Sequence, residues 1–110
     1  MYNIYETAIS VIQDYIDECL FEPTAKWSEY EFCTRSYERW AGNEILARIT
    51  KESMIFPDYT SISPMKSIYY IIEDFIDELE HQAHSTDNKK HHLIFSAARD
   101  TAIEIGLLFV

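Results

Sequence analysis

Carboxylates at helical spacing are the most prominent chemical feature of this sequence. Two segments carry them, each along a run of isoleucines: Asp14, Asp17 and Glu18 in the first, and Glu73, Asp74, Asp77 and Glu78 in the second. Acid pairs at this spacing hold Mg²⁺ when they face inward in a helical protein. Rows of carboxylates that face outward on a rigid helix can instead imitate the phosphates of nucleic acid and compete for a basic groove. The direction in which these side chains point therefore decides between metal chemistry and recognition of a partner.

The second segment invites comparison with the all-helical nucleotide pyrophosphohydrolases. Those enzymes bind magnesium through acid pairs at helical spacing, and they carry a second acidic motif on the following helix. Here the following helix offers only Asp100 and Glu104, four residues apart. Because the acidic residues also fall opposite the isoleucines, a small metal-dependent enzyme of this type is the alternative interpretation. We expect no catalytic residue, no metal site and no cofactor.

Histidines cluster around one turn, which suggests a second place for metal chemistry. They are His81, His84, His91 and His92. Imidazoles bind zinc and related metals, and the first two share a helix face. A histidine near a helix C-terminus also stabilises the helix dipole, and residues 89–92 are typical of a solvated basic turn. The structural role is favoured, while a metal-binding or protonation-sensitive tip stays open.

Four amphipathic segments position these residues. Apolar spacing, N-cap signals and breakers predict helices over about Ile4–Leu20, Ser28–Lys51, Pro64–Ala83 and 88–108. The expected caps are Asn3, Ser28, Ser63 and Asp87, and Pro23 ends the first helix. Residues 52–63 form the longest connection and carry enough apolar residues to pack over one end of the helices.

The first and third helices share one pattern. In the third, apolar residues at 68, 71, 72, 75, 76 and 79 form a single stripe, with Asp74, Asp77 and Glu78 about 180° away and no cation beside them. Residues 11–18 align with residues 71–78 with five identities in eight positions. The stripe of the first helix is Ile4 or Tyr5, then Ala8, Ile9, Ile12, Ile16, Cys19 and Leu20. We expect isoleucines inside and carboxylates outside in both helices.

The second helix contains Gly42, which leaves its path open. Its expected buried stripe is Cys33, Tyr37, Trp40, Ala41, Ile45, Ile49 and the stem of Arg48. Because this spacing continues through Gly42, we predict one continuous helix, with a kink at Gly42 or a close helix approach as alternatives. The fourth helix has an alanine-rich middle that suits close packing.

These elements define the fold class. Residues 1–110 are expected to form one all-α domain, an antiparallel four-helix bundle. The likeness of the first and third helices permits a further interpretation, two related helical hairpins about a pseudo-twofold axis. The chain has only two glycines and no Asn-Gly or Asp-Gly dipeptide, which argues against a hairpin-rich β fold.

The charge and composition of the chain limit the kinds of partner that it is expected to bind. The formal net charge is −10, from 19 acidic and 9 basic residues, so direct nucleic-acid binding is disfavoured and a basic protein partner is expected. No signal peptide or membrane-spanning run is present, which predicts a cytoplasmic protein with no membrane contact and with Cys19 and Cys33 as thiols in the core. The apolar end, residues 107–110, predicts a homodimer.

Three segments carry a resemblance: residues 36–46, residues 72–78 and residues 94–102. They resemble small, uncharacterised acidic proteins carried on mobile elements and prophages of Gram-positive bacteria. Such proteins are often inhibitors of host defence systems, which is what the resemblance implies here. We therefore expect a non-enzymatic interaction protein, in its specific form a nucleic-acid-mimicking inhibitor. The seven acidic residues would face its partner, flanked by Tyr15 and by Tyr69 or Tyr70.

Overall fold

The computed structural model describes residues 4–20, 26, 28–55 and 64–109, and all its regular elements there are helices. They are α1 (Ile4–Cys19), α2 (Glu29–Ile55), α3 (Pro64–Ser85) and α4 (Lys89–Leu107). The all-α fold class is therefore confirmed. The cap predictions at Asn3 and Ser63, the break at Pro23 and the connection from residue 56 onward lie outside the described residues.

The helices pack as a bundle in which consecutive helices run antiparallel. The most extensive interfaces join α4 to α2 and to α3, while α1 packs chiefly on α2. Because α2 and α4 point the same way, their first turns lie together, and Lys90 Nζ is 3.6 Å from Glu29 Oε1. At the other junction of α4, His92 Nδ1 lies 2.9 Å from the carbonyl oxygen of Ala83, near the end of α3.

Capping residues explain two helix starts. The Ser28 hydroxyl accepts a hydrogen bond from the Glu31 N–H at 3.1 Å, as the sequence predicts. The cap of α4 is Asn88, so the prediction of Asp87 is wrong by one residue. Asn88 has an extended backbone, and its side chain accepts from the N–H groups of Lys90 and His91.

The second helix is longer than predicted and is continuous through Gly42. It runs to Ile55 because residues 52–55 contain no glycine or proline that would end it at Lys51. A Cβ at Gly42 would lie 2.9 Å from Ile16 Cγ1 and 3.0 Å from Leu20 Cδ1. Gly42 therefore marks the close approach of α1, one of the alternatives that the sequence leaves open, and not a kink.

Isoleucines from all four helices fill the core, and those of α1 and α3 point inward as predicted. The largest fully buried side chains are Ile12, Ile16, Ile45, Ile49, Ile68, Ile72, Phe75, Leu79 and Ile105. The tight alanine contacts of the bundle come from Ala41 on α2 and from Ala98 and Ala102 on α4, which are fully buried.

Four residues expected in the core lie at its border or outside it. Trp40 is 41% exposed and Tyr37 is 37% exposed, and Cys33 is only partly buried. Successive residues of a helix are about 100° apart, which turns Trp40 away from the buried position of Ala41. Cys19 is exposed because the end of α1 is anchored by Leu20, which packs on Gly42.

Candidate partner-binding surface

The carboxylates of α1 lie on the outer face of the helix. Asp14, Asp17 and Glu18 are all exposed, opposite the buried Ile12 and Ile16. Asp17 accepts a hydrogen bond from the Gln13 amide one turn earlier, with Nε2 and Oδ1 3.0 Å apart. The core contacts of the isoleucines thus fix the direction in which these acidic side chains point.

The carboxylates of α3 also face outward. Asp74, Asp77 and Glu78 are exposed and Glu73 is half-buried. A pyrophosphohydrolase-like magnesium site needs these groups inside the bundle, so the orientation differs from that of such a site. Among the described residues, no three His, Cys, Asp or Glu side chains are grouped so that they could hold a metal ion.

The prediction that no cation lies beside the α3 carboxylates is wrong for Glu78. Arg48 of α2 reaches across, with its Nη1 2.6 Å from Glu78 Oε2 and its Nε 3.3 Å from Glu44 Oε1. Its guanidinium carbon lies 4.6 Å from the centre of the Phe75 ring. Burial would lower the pKa of Arg48, but the hydrogen bonds that Arg48 donates to Glu78 and Glu44 outweigh burial and raise that pKa. Glu78 is thus part of a link between α2 and α3.

Six acidic residues then remain as candidates for partner contact, and we call them the acidic rows: Asp14, Asp17 and Glu18 on α1, and Glu73, Asp74 and Asp77 on α3. Within the described part of the chain, none of the six takes part in an ion pair. The helices that carry them run in the same direction and touch each other, though less extensively than α1 touches α2. Tyr69 and Tyr70 are exposed on α3, as expected of contact residues.

Tyr15 is half-buried and its hydroxyl is bonded to α4, while its role as a partner contact beside the α1 row stays a prediction. Its hydroxyl donates to Glu104 Oε2 of α4 at 2.8 Å. Burial and this hydrogen bond both raise the pKa of the Tyr15 phenol. The two residues line a cleft of about 280 Å³ between α1, α2 and α4, with Glu38 and Asp100 on its wall.

Sequence reasoning missed Glu38 as a member of this cleft. Burial is the largest influence and raises the pKa of its carboxyl, and Glu104 and Asp100 act in the same direction against Arg35. The only available signal was the i,i+4 pair of Asp100 and Glu104, because the residue that completes the group lies on another helix. The cleft joins α1 to α4 through a hydrogen bond, where the two helices otherwise make little contact.

Two further surface regions were singled out in the sequence: the histidines around the turn between α3 and α4, and the apolar residues at the end of α4. All four histidines are exposed, and the His92 ring also contacts the carbonyl oxygen of Ala83 near the end of α3. At the opposite end of α4, Leu107 is 65% exposed and Leu108 is 45% exposed. Phe109 packs partly buried against the core, and Val110 is outside the described residues.

Comparisons with known proteins add no relative. No protein family model matches the sequence, and neither a curated protein nor a solved structure matches it. A separate test of the described helices finds none with both the length and the apolar character needed to cross a bilayer.

Proposed function

We propose that this protein is a non-enzymatic interaction protein whose acidic rows bind a basic protein partner. The observation that carries this proposal is the state of six carboxylates: none is fully buried, five are exposed, and none is paired with a cation within the described residues. They sit on helices whose opposite faces form the core, so the rows keep a fixed shape. A row of like charges at fixed positions creates an electrostatic field of constant shape, which charged side chains on a flexible loop would not create.

The placement of the rows has a cost to the fold, which supports a use outside it. Asp17 and Glu18 lie in the last turn of α1, where a negative charge opposes the helix dipole by about 0.3–1 kcal/mol for each residue. No basic residue stands in that turn to offset the repulsion. A basic partner would supply the missing counter-charge.

In its specific form, the proposal is an inhibitor that imitates nucleic acid. Residues three or four positions apart on a helix are separated by about 4.5–6 Å along its axis, whereas one DNA strand has a phosphate about every 3.4 Å of axis. The charge spacing of the rows is therefore within a factor of two of that of a nucleic-acid strand. The resemblance to proteins of mobile elements adds a setting, inhibition of a host defence factor in the cytoplasm.

A capture experiment tests this function. Wild-type protein is immobilised, a lysate of the source cell is applied at low salt, and bound proteins are eluted with rising NaCl. We expect a basic, nucleic-acid-binding protein that elutes steeply with salt and is displaced by added duplex DNA, because both compete for one groove. The purified partner is then titrated against the variants.

Charge reversal supplies the decisive comparison. Asp74→Lys and Asp77→Lys should each weaken the complex at least tenfold, while Asp87→Lys, an equal charge change at an exposed site outside the rows, should weaken it by less than threefold. Equal losses for all three variants would show that only net charge matters. A partner that DNA does not displace would refute the mimicry.

A further inference from the structure

The outward face of α2 carries a long row of uncharged residues. In α1 and α3 the residues opposite the core are mostly charged, but α2 carries a different set. We call it the α2 seam: Cys33, Ser36, Trp40, Asn43, Ala47, Thr50 and Met54. None of these seven residues is charged, although a quarter of the chain is, and none of them is fully buried.

The spacing of the seam is that of a coiled coil. Its members follow one another at steps of three and four residues in strict alternation, the a and d positions of a heptad repeat. Such a repeat continued over three heptads is the pattern with which one helix packs along another. In this bundle the opposite face of α2, with Ala41, Ile45 and Ile49, already serves α1, α3 and α4.

Two large side chains of the seam are left open to solvent. Met54 is 76% exposed. Trp40 is 41% exposed, while one side of its ring makes edge contacts with Phe75 of the core and with Tyr37, at centroid distances of 5.6 and 6.0 Å. Phe32 and Tyr37 beside the seam are exposed as well. Tryptophan and tyrosine are the residues that most often dominate the energy of an interface. The seam spans about 33 Å of helix, and a contact of two helices over this length is at the small end of specific interfaces, so we expect a dimer that depends on protein concentration.

We propose that the α2 seam is a dimer interface, on which α2 of a second copy packs antiparallel. Side-chain volume favours this orientation. The antiparallel register places Trp40 next to the smaller Asn43 of the second copy, Ser36 next to Ala47, and Cys33 next to Thr50. A parallel register would instead place each residue next to the same residue of the second copy. The two tryptophans would then share one layer, between a layer of Ser36 pairs and a layer of Asn43 pairs.

Charge favours the same arrangement. Glu29 lies at one end of the seam and Lys51 near the other, and both are exposed. The ion pair of Glu29 with Lys90 of the same chain leaves most of the Glu29 side chain accessible, 88% of it. Antiparallel packing brings Glu29 of each copy within a helical turn of Lys51 of the other, and it also opposes the two helix dipoles. The charged residues that flank the seam, Arg39 and Glu44, meet Leu46 and Tyr37 of the second copy, so no like charges are brought together.

The oligomeric state tests the interface. Sedimentation velocity between about 1 and 200 μM should show a monomer–dimer equilibrium for the wild type. Ala47→Glu places a charge on the exposed middle of the seam and should shift the dissociation constant at least tenfold. Leu107→Glu is the matched control at the other exposed apolar site and should leave it within threefold. A wild type that stays monomeric overturns the proposal, and so does a dimer that only Leu107→Glu disrupts.

Cysteine cross-linking tests the orientation and does not depend on whether Ala47→Glu folds. In a Cys19→Ser background, the antiparallel register predicts that Cys33 alone gives no covalent dimer with oxidised glutathione. Adding Thr50→Cys should give a dimer held by disulfides between Cys33 and the new cysteine of the second copy. A dimer joined through Cys33 alone would overturn the antiparallel arrangement.

Salt separates this inference from the proposed function. Two chains of net charge −10 repel each other, so dimerisation should strengthen as NaCl rises from 50 to 500 mM. The complex with a basic partner should weaken over the same range. The dimer proposal can therefore be refuted while the proposed function is upheld, and the proposed function can be refuted while the dimer proposal is upheld.

Discussion

Arg48 Nη1 and Glu78 Oε2 are 2.6 Å apart, although thirty positions separate the two residues in the sequence. The same guanidinium lies over the ring of Phe75, a core residue of α3, and bonds Glu44 one turn earlier on α2. Arg48 therefore combines an ion pair with a packing contact. This combination joins α2 to α3 at the edge of the α3 row.

Removing this side chain should destabilise the bundle. Both partners are partly exposed, so the ion pair alone contributes at most about 1 kcal/mol, but Arg48→Ala also removes the cover of Phe75. We expect a loss of about 1–2 kcal/mol in the free energy of unfolding for Arg48→Ala, and less than about 1 kcal/mol for Glu78→Gln. Urea denaturation measures both. Lys51→Ala is the control, and equal losses for Arg48→Ala and Lys51→Ala would contradict the assignment.

The two glycines should respond differently to alanine. In a helix interior, alanine is favoured over glycine by up to about 1 kcal/mol. At Gly42 the new methyl group would lie 2.9 Å from Ile16 Cγ1, and such overpacking costs about 1–3 kcal/mol. At Gly106 the nearest atom, Ile72 Cγ2, is 3.3 Å away, so a small shift accommodates the methyl group.

Gly42→Ala should therefore be less stable than Gly106→Ala by about 1 kcal/mol or more. Thermal or urea unfolding of the two variants gives the difference directly. Two variants of equal stability would mean that α1 does not sit closely on α2 at Gly42.

The cleft carboxylate Glu38 gives a pH dependence of defined sign. Burial raises its pKa in the folded protein above the ordinary value of 4.5, so the charged form is disfavoured by folding. The resulting penalty is present above the folded pKa and disappears as the pH falls below the unfolded value. Glu38→Gln should therefore be more stable than the wild type at pH 7, and that advantage should shrink towards pH 3.

Urea unfolding of wild type and Glu38→Gln at both pH values measures this difference. The quantity to compare is the stability difference between Glu38→Gln and the wild type, measured once at pH 7 and once at pH 3. The wild type at each pH is the control. A glutamine variant less stable than the wild type at pH 7 would contradict this prediction, because it would show that the attraction of Arg35 for the ionised carboxylate outweighs burial.

Divalent metals should leave the melting temperature unchanged. The α3 carboxylates face solvent, and no metal-ligand set occurs among the described residues. We expect a shift below about 1 °C with millimolar Mg²⁺ or Mn²⁺, or with micromolar Zn²⁺, because a ligand that binds the folded state must raise its stability. A rise of several degrees that a chelator reverses would favour the pyrophosphohydrolase-like alternative. A rise in melting temperature with Zn²⁺ but not with Mg²⁺ or Mn²⁺ would indicate that the histidines at the turn between α3 and α4 bind the metal.

The inward faces of α1 and α3 could be predicted because their pattern is local. Isoleucines at helical spacing define one buried stripe, and the carboxylates must then lie opposite, whatever the packing order of the helices. The same reasoning failed for Trp40 and Cys33, since α2 is apolar around more of its circumference than one core stripe can use. Periodicity identifies which residues suit burial, but it does not show which of two apolar faces meets the core.

The contacts between distant residues could not be predicted in this way. Arg48 finds Glu78, and Tyr15 finds Glu104 across 89 positions, through the packing of helices whose order the sequence leaves open. Glu38 was overlooked for the same reason. The cap at Asn88 was missed by one residue because Asp87 and Asn88 are both good capping residues and only backbone geometry distinguishes them.

The attachment of α1 has a consequence for how the protein opens. α1 rests mainly on α2, where Gly42 admits Ile16 and Leu20, and its link to α4 includes the bond from Tyr15 to Glu104. Because α1 has one main neighbour, we expect it to detach before the rest of the bundle unfolds, as a local opening. Amide hydrogens of α1 should thus exchange by sub-global release, ahead of those in α2, α3 and α4. The transient product is a three-helix body trailing an acidic arm, which carries half of the proposed binding surface.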